Sequence, residues 1–120
     1  MDIDDLKVNS ELLNIFELWN LTTEEKLGAL GLPMSKLVLE KHKNNSVILD
    51  NKDLLSRTEN LLVIYEYLNL LLPKNAEFAN SWMKTRNTAF ESNTPIETII
   101  AMGFPGLIYV RRYLEAAICN

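Results

Sequence analysis

The sequence predicts an all-α fold, a small bundle of about seven helices. Three observations predict it. Residues that start helices recur ahead of apolar-periodic stretches, while strand-like alternation is scarce. Within those stretches apolar side chains return at three- and four-residue intervals. Gly31, Pro73 and Gly103 then fall where the stretches end, as helix-stopping residues do.

Taken in order, Ser10 can cap a first helix running to about residue 20, on which Leu12, Ile15, Phe16 and Trp19 share a face beside Leu13. Thr22 or Thr23 caps a short second helix. Glu24 and Glu25 lie in its first turn, where the helix dipole favours negative charge, and Gly31 ends it. Leu32-Pro33-Met34-Ser35 reads as a tight turn, Ser35 as the cap of a third helix over 36–43, and Asn44-Asn45-Ser46 as a loop.

Asp50 or Asp53 can cap the fourth helix, 54–72, which Pro73 stops. Its stripe is Leu54, Thr58, Leu61, Tyr65, Leu68 and Leu72, and Val63, Tyr67 and Leu70 lie opposite. A helix apolar nearly all round is buried on both sides or lies in a subunit interface, so this element is expected near the middle of the fold. Asn75 caps a fifth helix that continues through Trp82 to about 85, and Trp82 is expected to be mostly buried as a core anchor. Thr94-Pro95-Ile96-Glu97 is a sharp start signal. Thr94 is the N-cap, Pro95 takes the first helical position, and Glu97 completes a capping box. Gly103 supplies a left-handed stop, and Pro105-Gly106 leads into a final helix over 107–118 with Leu107, Val110, Leu114 and Ala117 on one stripe.

A chain of 120 residues with 48% hydrophobic content can bury one core of ordinary size, as a single domain or two sub-domains sharing it. The net charge of −4 does not mark a nucleic-acid binder, although a local patch can override a total. Cys119 is the sole cysteine, which excludes an intramolecular disulfide and favours a reducing compartment. The start, Met1-Asp2-Ile3-Asp4-Asp5, is acidic and lacks the apolar run of a signal peptide. The longest apolar stretch, 61–72, is interrupted by Glu66 and Asn69 and is shorter than the ~20 residues a membrane span needs. These features point to a soluble cytoplasmic protein without a membrane partner.

No residue set looks catalytic. His42 and Cys119 have nothing to orient them as a pair, and Glu-x-x-His pairs, cysteine clusters and glycine-rich phosphate loops are absent from the sequence. Neither enzyme activity nor a metal or cofactor is expected.

The last part of the chain carries a more specific signal. Arg57, Leu61, Leu62, Tyr65 and Leu68 are followed by Pro73, Trp82, Asn87, Phe90, Pro95, Ile96, Gly103, Leu107, Val110 and Leu114. In this order they resemble the toxin-binding domain of the Xre/MbcA/ParS antitoxins. The resemblance divides the chain into a helix-turn-helix-like region, 1–50, and a toxin-binding domain, 51–120. Family members usually carry glycine shortly before the proline. Here Glu91-Ser92-Asn93 fills that place, and Asn93 is the residue expected to take a positive φ.

The resemblance implies the antitoxin of a type II toxin-antitoxin system. Such a protein neutralises a cognate RES-domain toxin, which consumes NAD, by binding it and blocking its active site, and it holds no cofactor itself. Candidate toxin contacts are residues of the final helix outside its core stripe. Tyr109 and Tyr113 share one face, while Arg111, Arg112 and Glu115 point elsewhere. Tyr and Arg are enriched in binding hot spots. The bland alternative for the two arginines is a solvated helix end, where cations suit the dipole.

At the other end, helix, Gly31, short turn, helix is the layout of a helix-turn-helix, and it resembles the Xre-type reader of the same family. Ser35, Lys36, Lys41, His42 and Lys43 would then face DNA, chiefly its phosphates. The bland alternative is a helical cap on the C-terminal module with its lysines in water. The alternative function is a DNA-binding autorepressor with a helical dimerisation module. Either way a homo-oligomer, or a hetero-oligomer with the toxin, is expected, with operator DNA as a further partner.

Overall fold

The computed structural model describes residues 3–32 and 52–119, and the described residues are helical apart from turns and one isolated bridge. The helices are α1 (Ile3–Leu18), α2 (Thr23–Ala29), α3 (Lys52–Leu71), α4 (Ala76–Ser81), α5 (Pro95–Met102) and α6 (Phe104–Cys119). Two 3-10 turns, Trp82–Lys84 and Thr88–Phe90, separate α4 from α5. The helix expected over 36–43, with Ser35 as its cap, and Asp50 lie outside the described residues.

The apolar stripe of α1 packs as its spacing predicts. Leu12, Ile15, Phe16 and Trp19 are all buried, and α1 lies against α3. Ser10 is no cap, because α1 begins seven residues earlier, at Ile3. Asn20 turns the chain out of α1 with a φ of 56°. Thr22, rather than Thr23, then opens α2. Its hydroxyl accepts from the Glu25 N–H at 3.1 Å, and the Glu25 carboxylate accepts from the Thr22 N–H at 2.8 Å. Gly31 leaves α2 at a φ of 69°, as its position after the helix requires.

Asp53 also proves not to be a cap. It lies inside the first turn of α3, where its Oδ2 accepts from Arg57 Nε at 3.0 Å. The Arg57 guanidinium sits 5.9 Å from the centroid of the Phe104 ring at the start of α6. It also fills the space over Gly31, where an added Cβ would come within 2.8 Å of Arg57 Cζ. Leu54, Thr58, Leu61, Ile64 and Leu68 form the buried face of α3, which packs against α1, α4 and α6. The opposite side is covered only in part: Val63 and Tyr67 are half-buried and Leu70 is 65% exposed.

The capping box at Thr94 stands as predicted, with Pro95 in the first turn of α5. The final helix starts three residues earlier than expected. Gly103 takes φ 69° and ψ −145°, outside the left-handed helical well and in a region that is essentially glycine's alone. Its carbonyl accepts from the N–H groups of Gly106 and Leu107, so Phe104, Pro105 and Gly106 form the first turn of α6. Leu107, Val110 and Leu114 are buried against α3 and α5, but Ala117 is exposed, so the stripe ends one turn before the helix does.

One cluster of buried residues runs from Leu12 on α1 to Leu114 on α6. A polar strap reinforces it at the surface. Lys84 Nζ donates to the Asn20 carbonyl at 2.9 Å and pairs with Glu25 at 3.1 Å. Burial pushes the Glu25 carboxyl up, but the Thr22 backbone N–H, the hydrogen bond and charge of Lys84, and the Thr22 side chain outweigh it and hold the group below its ordinary value of 4.5. A depressed folded-state pKa contributes stability above the unfolded value, and that contribution is lost as pH falls through the folded value. Glu25→Gln should therefore cost about 0.5–1 kcal/mol at neutral pH in low salt. Below the ordinary carboxylate range the variant and wild-type urea curves should converge. A gap that stays constant down to the acid end would assign the loss to something other than this charge.

Candidate functional site

The aromatic residues of the last third gather at one place. Trp82 is half-buried at the end of α4, where the 3-10 turn begins; the fully buried neighbour is Met83. Trp82 packs against the core cluster with most of its surface covered, as expected of an anchor. One face of its ring stacks on Tyr113, with centroids 6.2 Å apart and planes at 17°. Phe90 is buried beneath and meets Trp82, Tyr109 and Tyr113 edge-on, at 6.0, 5.4 and 5.2 Å. Tilted contacts of this kind bring the positive edge of one ring to the negative face of another.

The loop that delivers Phe90 is held by Asn87. Its side chain accepts from the Ala89 N–H at 2.9 Å, its N–H donates to the Asn93 carbonyl at 3.1 Å, and its carbonyl accepts from Ser92. The positive φ values fall on Glu91, at 56°, and Ser92, at 65°, and not on Asn93 as expected. Arg86 also reaches the loop, donating to the Ser92 carbonyl at 3.0 Å. Tyr109 ties α6 to it, its hydroxyl donating to the Ala89 carbonyl at 3.0 Å. A cleft of about 380 Å³ opens beside this bond, between the loop and α5, lined by Phe90, Glu91, Thr98, Ala101, Met102 and Tyr109 among others.

The outer sides of these rings remain exposed, Tyr109 at 48% and Tyr113 at 40%. Ile100 and Met102 of α5, at 41% and 52%, are exposed as well. Tyr109 and Tyr113 thus do share a face, and each is locked by ring packing before any partner arrives. Such side chains lose little entropy on binding.

Arg111 lies apart from the tyrosines. Its Nη1 donates to Asn60 Oδ1 on α3 at 2.8 Å, and its Nε is 3.7 Å from Glu115 Oε2. Arg112 and Glu115 are exposed. The five candidate contacts therefore fall into an aromatic patch, Tyr109 and Tyr113, and a charged group, Arg111 and Glu115, with Arg112 outside both. Ser35, Lys36, Lys41, His42 and Lys43 lie outside the described residues. Asn60 carries no signal in the sequence as a participant, since its partner is 51 positions away.

Among the described residues no group of His, Cys, Asp and Glu could hold a metal ion, and no helix is long and apolar enough to cross a membrane.

Residues 67–117 match the family model of the antitoxin Xre/MbcA/ParS C-terminal toxin-binding domain. The matched span includes the end of α3 and contains the whole aromatic patch, the Asn87 loop, α5 and nearly all of α6. The match spans less than half of the 120-residue chain. No curated protein matches the chain.

Proposed function

We propose that this protein is the antitoxin of a type II toxin-antitoxin system and neutralises a RES-domain toxin by seating residues of α6 against it and blocking its active site. The observation that carries the reading is the coincidence of the family match with a rigid, exposed aromatic patch, Tyr109 and Tyr113 over Phe90. Tyr and Arg dominate binding hot spots, and Arg111 and Arg112 stand on the same helix. The protein supplies shape and charge and makes or breaks no bond itself. In this reading 51–120 is the toxin-binding domain, and its contact set is Tyr109, Arg111, Arg112, Tyr113 and Glu115. The protein acts in the cytoplasm, and a subunit interface along the outer side of α3 would cover Leu70.

The test is co-expression with the product of the neighbouring reading frame. The two proteins should copurify, and the antitoxin should suppress NAD loss caused by its partner. Tyr109→Ala combined with Tyr113→Ala should weaken the complex by about 2–4 kcal/mol. A complex of wild-type strength with a folded double variant would remove the aromatic patch from the interface. Absence of any complex, or NAD loss unaffected by the wild-type chain, would refute the reading.

A second reading concerns 1–50 as a helix-turn-helix-like reader of operator DNA, through which the protein represses its own operon. It is favoured by the geometry of α2, a short capped helix leaving through a positive-φ glycine. Ser35, Lys36, Lys41, His42 and Lys43 would make the DNA contacts. A salt-sensitive gel shift with promoter DNA should be abolished by Lys36→Glu with Lys41→Glu. A shift insensitive to both salt and these changes would exclude it.

A further inference from the structure

We propose that Asn60 is a positioning residue, which presents the Arg111 guanidinium to a carboxylate on the bound toxin; this rests on the antitoxin reading above. Asn60 is a polar side chain only 6% exposed, and such a group is costly unless its hydrogen bonds are made. Its Nδ2 donates to the Ser56 carbonyl at 2.8 Å, which fixes the amide so that Oδ1 faces α6. There it accepts from Arg111 Nη1 at 2.8 Å. Arg111 is thus gripped from behind by a fixed acceptor, while about a third of its side chain stays in water, at 35% exposure.

The chemistry of that acceptor matters. A carboxylate at position 60 would tie α3 to α6 more strongly than an amide does, because charge-assisted hydrogen bonds are the stronger kind. It would also cancel the charge of the guanidinium. A neutral amide holds the geometry and adds no second counter-charge. Glu115 pairs with the guanidinium from the same helix at 3.7 Å, a solvent-exposed i,i+4 pair worth little, which a carboxylate on a partner can displace. What remains is a planar, charged fork held in one orientation at the surface, a form suited to bidentate recognition of a carboxylate.

The experiment is a double-mutant cycle on the full chain, titrated against the partner that copurifies with it. Asn60→Leu, similar in volume but without an acceptor, should weaken binding about tenfold, as loss of a hydrogen bond to a charged group does. Arg111→Ala should weaken it at least as much, and adding Asn60→Leu to Arg111→Ala should change nothing further. Asn60→Ser, also lacking reach to Arg111, should repeat the result if the leucine variant folds poorly, and urea midpoints of all variants separate folding from binding. Wild-type affinity for Asn60→Leu would overturn the proposal. So would a loss that persists in full on the Arg111→Ala background, since Asn60 would then act through packing alone. Failure of the wild-type chain to bind any partner would overturn the antitoxin reading, and this inference with it.

Discussion

Phe16→Ala should destabilise the whole protein by about 3–5 kcal/mol, although Phe16 lies well before residue 67, where the family match begins. The ring is fully buried, and it belongs to the same continuous core as Leu61 and Ile64 of α3 and Leu107 and Val110 of α6. Truncation to a methyl removes the transfer free energy of the ring and leaves a void that helices fixed on both sides fill only in part. The change should appear as one shifted urea transition, seen alike by helical circular dichroism and by the fluorescence of Trp19 and Trp82. Toxin binding should fall only as the folded fraction falls. Two separated transitions, with the Trp82 end unmoved, would mean that α1 and the C-terminal helices do not share a cooperative core.

Gly106→Ala should also destabilise, by about 1–3 kcal/mol, and its sign is the informative part. In an ordinary helix interior this change is worth about 1 kcal/mol in the other direction. At Gly106 α6 lies directly against the backbone of α5. An added Cβ would lie 2.6 Å from the Thr98 carbonyl oxygen and 2.8 Å from Met102 Cβ. Backbone cannot swing aside, so α6 must lift. Lifting it strains the Tyr109 bond to Ala89 and the packing of Tyr113 on Phe90 and Trp82, so binding should suffer beyond the loss of fold. A neutral or stabilising Gly106→Ala would show that the two helices can separate at no cost and that the aromatic patch is less rigid than its contacts imply.

Much of this architecture is legible in the residues, where a signal is local. Thr94 with Pro95 and Glu97 specifies a helix start within four residues, and that box forms; at α2 the residues leave Thr22 and Thr23 both open, and the box that Glu25 completes decides for Thr22. The α1 stripe predicts its buried face because helical periodicity needs no knowledge of the partner. The misreadings have physical causes. Pro105-Gly106 looks like a turn, but proline lacks only an N–H that the first helical turn leaves unpaired anyway, and the glycine is there for close approach. Asn93 is a better candidate for positive φ than Glu91 or Ser92 by type, but the bonds of Asn87 to Asn93 and Ser92 dictate the path of the loop. The candidate site was legible as a helix face, Tyr109 with Tyr113. Its division into an aromatic patch and a separately held arginine depends on Asn60 and Phe90, contacts between distant parts of the chain that spacing alone cannot specify.

Arg57 has a consequence for how the helices hold together. Its guanidinium is wedged between Gly31, where α2 finishes, and Phe104, where α6 begins. The guanidinium fills the space between the two helix ends, so neither can shift there without disturbing the other. One half-buried cation thus latches the early helices to the last one.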